Sequence, residues 1–194
     1  MKVSSLPVTC FDSSIKIDFP FEKYISYILS IIPKSDLSGL SKILIKDNFS
    51  DKRCQKDSLG CYIPDGKGKK CIVEICLSNL IETDEIPLYL FNKYQEIAGL
   101  FLTDVISHEI GHHVHLFKRH GVKKKDFEQF AVLYSQAAYF NYFKYRKRKI
   151  LLSYKIARWN IFDFDKGSRT KFKLAANELL SWYKENEEEG IDFP

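Results

Sequence analysis

Between Phe21 and Ile32, apolar residues at Phe21, Ile25, Ile28, Leu29 and Ile32 recur three or four apart. That spacing predicts an amphipathic helix, which Pro33 ends because proline disfavours helix in the residue before it. Leu40 to Lys46 mixes β-branched and polar residues as a short strand does. Residues 47–69 are polar, and Pro64-Asp65-Gly66 marks a turn. Cys71 to Leu77 predicts a second strand, with Glu74 suggesting an edge position where a charge discourages unwanted pairing.

Glu82 to Pro87 reads as a linker. Beyond it the period becomes helical, predicting helices around 89–96, 98–118, 126–152 and 170–186. The order helix, strands, helices is that of an α+β protein. At 194 residues one core can form. A single domain over 1–194 is expected, with a helix-and-sheet part over about 1–80 and a helical part over about 89–194.

The chain is 45% hydrophobic and 28% charged, and its net charge of +5 permits an acidic partner without requiring one. No apolar run approaches the roughly 18 residues of a membrane span, and the N-terminal residues lack the apolar core of a secretory signal. No membrane partner is therefore expected. The five cysteines (Cys10, Cys54, Cys61, Cys71, Cys76) are odd in number and form no C-x-x-C pair. A Cys-based zinc site or disulfide set competes with plain reduced thiols; the loose spacing favours thiols, for which the cytoplasm is the natural home.

Within the helix at 98–118 lies His108-Glu109-Ile110-Gly111-His112. A helix turns about 100° per residue, so His108 and His112 share a face and can present two imidazoles to one ion. Glu109 follows the first ligand, beside the place of an attacking water, where a carboxylate acts as general base. Val105, Ile106, Ile110, Val114 and Phe117 supply an apolar side for burial, and Gly111 would let a neighbouring element approach.

A catalytic zinc takes three protein ligands and keeps one position open. Three residues are candidates for the third. Glu128 follows His112 by sixteen residues, and a turn through Gly121 and Lys123–Lys125 would fold a second helix back onto the first, with Asp126 as its N-cap. Ala131, one turn on, is small enough for close approach. His120 is about 12 Å further along a continuing helix, too far for a shared ion. Glu178 would need tertiary folding to reach the site. His113 and His115 are local to the motif, and His115, one turn too far along for the same ion, suits a supporting or surface role.

These residues resemble the gluzincin branch of the zincin metallopeptidases. His108 to His112 matches the H-E-x-x-H of that family, and Glu128-Gln129-Phe130-Ala131 looks like the stretch in which several members carry their glutamate ligand. The resemblance spans roughly residues 70–140, and its specific part is about ten residues. It implies zinc bound by His108, His112 and Glu128, Glu109 as general base, and a short mixed sheet packed on the motif helix, whose edge strand binds substrate. The metzincin pattern does not fit, because His115 stands where Gly is required and Lys118 where a third His is. Neither Tyr134 nor Tyr139 can be matched to the family's oxyanion-stabilising residue.

The expected activity is thus that of a cytoplasmic, zinc-dependent endopeptidase acting on a peptide or protein laid along the strand at 71–77. A rival is a basic binding module with structural zinc or none, because Lys144-Tyr145-Arg146-Lys147-Arg148-Lys149 interleaves charge with aromatics and could meet nucleic acid. The plainer reading of that run is a solvated helix end that complements the macrodipole. Trp159 and Trp182 sit among apolar residues and are expected in the core.

Overall fold

A computed structural model describes residues 7–64, 71–82, 88–118, 125–159, 166–188 and 190–194. In chain order they form β1 (Val8–Asp12), α1 (Phe21–Ile31), β2 (Leu40–Lys46), β3 (Gly60–Ile63), β4 (Cys71–Cys76), α2 (Leu77–Glu82), α3 (Leu88–Lys93), α4 (Gln95–Lys118), α5 (Lys125–Trp159) and α6 (Lys166–Glu187). The class is α+β.

The four strands are ordered β1-β2-β4-β3. β1 and β2 are parallel, as are β2 and β4, while β3 runs antiparallel to β4. A parallel pair needs a crossover between its strands, and α1 lies in the one that joins β1 to β2. The apolar stripe of α1 is buried as its spacing requires, through Phe21, Tyr24, Ile25, Ile28 and Leu29.

β4 is not an edge strand. It lies between β2 and β3, which explains its nearly continuous apolar sequence. Glu74 is correspondingly no edge charge. It is buried, and its carboxylate accepts hydrogen bonds from the backbone N–H of Ser50, at 2.9 Å, and from the Ser50 hydroxyl. Burial of a carboxylate is tolerable where its lone pairs are filled in this way. The expectation failed because one charge was read as solvated.

α4 is the axis of the fold. Among its described side chains only Asp104, Leu116 and Phe117 are exposed, so the helix is covered nearly all round. The sheet contacts one side through β3 and β4, and α5 forms the most extensive contact on another. Its buried hydroxyls find partners within the helix: Thr103 donates to the Gly99 carbonyl at 2.7 Å and Ser107 to that of Thr103 at 2.5 Å.

α5 runs to Trp159, seven residues past its expected end, so Lys144–Lys149 lies in mid-helix and not at a terminus. Arg146 turns inward and makes a two-pronged ion pair with Glu96, at 2.6 and 2.7 Å, under the rings of Tyr24, Tyr27 and Tyr142. Trp182 packs on Tyr139 and Phe140 as expected, but Trp159 is 68% exposed and belongs to no core.

Cys54 and Cys61 form a disulfide, with the sulfurs 2.13 Å apart, while Cys10, Cys71 and Cys76 are free. The bridge overturns the expectation of five thiols and removes the support those thiols lent to a cytoplasmic location. Spacing concealed it, since the partners are joined by the path of the chain into β3. Among the described residues no helix is long and apolar enough to cross a membrane.

Candidate metal centre

His108 and His112 stand one turn apart on α4, their rings edge to face with centroids 4.7 Å apart. α5 folds back against this turn and brings Glu128 to both. One carboxylate oxygen lies 3.5 Å from His108 Nε2, and the other lies 3.6 Å from His112 Nε2. The three residues form a set whose ligand atoms all lie within 4.8 Å of one another. Two donors each about 2.0–2.1 Å from one tetrahedral ion stand about 3.3 Å apart, and each imidazole has one of the two carboxylate oxygens near that separation.

An ion pair is a poor account of the same contact. Burial, with the neighbouring His108 and His115, pushes the His112 imidazole down to about 4, so at neutral pH it carries no charge to attract Glu128. A neutral imidazole is the form that binds metal. Its ring is stacked on Phe127 at 4.1 Å, and its Nδ1 is buried with no hydrogen-bond partner among the described residues. Ligating histidines commonly use that nitrogen for orientation. Here Phe127, in the first turn of α5, holds the ring instead.

The close crossing of α4 and α5 rests on small residues. A Cβ on Gly111 would lie 2.8 Å from Ala131 Cα and 3.0 Å from Tyr134 Cβ, so only glycine fits. Asp126 is not the N-cap, because α5 begins one residue earlier, but it and Glu128 place negative charge in the first turn, where the helix dipole favours it. The expected turn at Gly121 and Lys123–Lys124, and His120, lie outside the described residues. Glu178 is exposed on α6 and is not part of the ligand set.

Glu109 lies against β3 and lines the same cleft as His108, His112 and Glu128. It is 8% exposed, and its carboxyl is pushed up to about 8, chiefly by burial. The Tyr62 backbone N–H donates to it, which works against that rise, and the negative charge of Glu128 adds to it. Gly60 makes the close passage of β3 possible, since a Cβ there would sit 2.8 Å from Glu109 Cγ. Sequence reasoning missed β3, Gly60 and Tyr62. The one signal available was the run Leu59-Gly60-Cys61-Tyr62-Ile63 ahead of the Pro64-Asp65-Gly66 turn.

His113 is buried, its Nε2 donating to the Ser38 carbonyl at 2.8 Å. Burial lowers its pKa, so Nδ1 is left to accept from the Tyr62 hydroxyl at 3.1 Å. His115 is also buried, against Phe127 and Phe130. Tyr134, fully buried, donates to Asp36 at 2.9 Å, and neither it nor Tyr139 lines the cleft over the site. That cleft encloses about 500 Å³ between His108, Glu109 and Glu128 on one side and Arg53, Gln55 and Gly60 on the other. The Cys54–Cys61 bridge ties the loop bearing Arg53 and Gln55 to β3. Comparison with protein-family models, curated proteins and solved structures finds no match.

Proposed function

We propose that the chain is a zinc-dependent peptidase that hydrolyses bonds within peptide or protein chains. The observation that carries this reading is the position of Glu109, buried beside two converging imidazoles and Glu128 at the floor of an open cleft. The donor set, two neutral-capable imidazoles and one carboxylate, suits zinc and leaves one coordination position free. It is also the set that the resemblance to gluzincins implies.

A zinc ion held by His108, His112 and Glu128 would supply Lewis acidity and lower the pKa of water at the open position. Glu109 takes a proton from the attacking water as its oxygen bonds to the scissile carbonyl carbon. It then gives that proton to the amine as the C–N bond breaks. Burial makes the Glu109 carboxylate a stronger base, and the positive charge of a bound zinc would keep it ionised for the first step. β3, and not β4, is the edge of the sheet next to the cleft, so an extended substrate pairs there.

A basic binding module with structural zinc is less well supported, because structural sites close their shell with a fourth ligand. The described residues gather three. Incubating the zinc-loaded protein with a peptide library and reading the products by mass spectrometry tests the proposal. Internal cleavage that stops on chelation and returns with zinc supports it. No cleavage by protein that carries stoichiometric zinc would overturn it.

A further inference from the structure

On the outward side of α5, away from the cleft, Tyr145, Arg148, Lys149, Leu152, Lys155, Ile156 and Trp159 are all exposed. Their spacing of three or four places them in one stripe, about 21 Å long at 1.5 Å per residue. The inward side of the same stretch is packed through Tyr142, Phe143, Ile150 and Ala157. The helix is thus held in place by its inner face and presents a second, mixed apolar and basic face to the outside.

We propose that this outer face of α5 is a docking surface for an anionic lipid bilayer, a departure from the expectation of no membrane partner.

Two observations select that occupant. The first is charge: no acidic residue occurs from Gln129 to Trp159, a stretch that holds Lys144, Arg146, Lys147, Arg148, Lys149, Lys155 and Arg158. Arg146 is consumed by Glu96 inside the fold, and Lys147 pairs with Glu187 of α6 at 3.8 Å. Lys144, Arg148, Lys149 and Lys155 are left exposed on the helix. The second is the apolar content. Tyr145 is 70% exposed, Leu152 56%, Ile156 51% and Trp159 68%.

Phosphates alone would explain the lysines and arginines but give no use to exposed Leu152 and Ile156. An anionic bilayer uses both. Basic side chains meet the headgroups, aliphatic ones enter the acyl boundary, and Tyr and Trp settle at the interface between them. This arrangement favours a lipid surface over nucleic acid, whose backbone has no apolar layer. It does not require the helix to span anything.

The test mixes the full chain with phosphatidylcholine vesicles, with and without phosphatidylserine, and follows co-sedimentation and tryptophan emission. Binding is expected only to vesicles containing phosphatidylserine, with a blue shift that Trp159→Phe removes and with weakening as salt rises. A basic residue near an anionic surface strengthens binding about fivefold, so Arg148→Gln with Lys149→Gln should lose about 25-fold. Leu152→Ala with Ile156→Ala, which remove six carbons, should lose about 50-fold if half of that surface is inserted. All these side chains are exposed, and unchanged thermal unfolding confirms that the variants fold. Equal binding to both vesicle types, or to neither, would overturn the proposal. So would tight binding to a duplex oligonucleotide that survives Leu152→Ala with Ile156→Ala and excludes vesicles, since the surface would then read phosphate polymers.

Discussion

Gly111 and Ala131 meet where α4 and α5 cross, and a Cβ on Gly111 would stand 2.8 Å from the Ala131 Cα. The contact lies next to His112 and three residues after Glu128, so it sets how near Glu128 comes to His108 and His112. Backbone atoms cannot yield as a side-chain tip can. Gly111→Ala is therefore expected to destabilise the fold by about 2 kcal/mol through overpacking. It should also weaken zinc affinity by moving Glu128 away. Thermal unfolding and zinc titration of the purified variant read both effects.

Glu128→Ala should weaken zinc binding strongly while leaving unfolding nearly unchanged, because its side chain is 70% exposed and packs little. His108→Ala should abolish stoichiometric zinc. Metal analysis after dialysis decides between the candidates. Full zinc content in Glu128→Ala, with loss in His120→Ala or Glu178→Ala, would refute the assignment.

Arg146 illustrates a basic residue whose place is structural. Its side chain is 13% exposed, and the guanidinium is held by Glu96 among three tyrosine rings. Arg146→Leu leaves the Glu96 carboxylate without its partner and should cost about 3 kcal/mol, measured by denaturant unfolding. Substituting the exposed Lys149 should change stability little.

Peptide mapping without reductant should recover Cys54 linked to Cys61, with Cys10, Cys71 and Cys76 as thiols. Closing so short a loop stabilises by about 2.5 kcal/mol in the chain-entropy picture, which sets the expected loss for Cys54→Ser with Cys61→Ser. Looser tethering of Arg53 and Gln55 should also lower turnover in the cleft.

The parts of this architecture that are local in sequence were legible there. The stripe of α1 follows from periodicity and β2 from its mix of β-branched and polar residues, and helical spacing put His108 and His112 on one face without any tertiary information. The approach of Glu128 is not local, yet small residues at Gly111 and Ala131 signalled that two helices meet. β3 escaped because its four residues are all half-buried and show no alternation. Its strand character comes from pairing with β4, and its bridge to Cys54 comes from the fold. The surroundings of Glu109 were hidden for the same reason, since Gly60 and Tyr62 reach it across the sheet from far along the chain. Trp159 misled because a large aromatic amid apolar neighbours usually packs inward, whereas the inner face of α5 was already filled.

The central claim is that Glu109 moves a proton and does not bind metal. Glu109→Gln keeps the size and hydrogen-bonding reach of the side chain while removing its capacity to accept a proton. General acid–base assistance contributes about 10²–10⁴ in rate. The decisive measurement is kcat/KM of this variant on a peptide cleaved by the wild type, with zinc content determined on the same samples. The account predicts stoichiometric zinc, an intact fold and a fall in kcat/KM of about a hundredfold or more. A variant that retains its zinc and cleaves at the wild-type rate would contradict it.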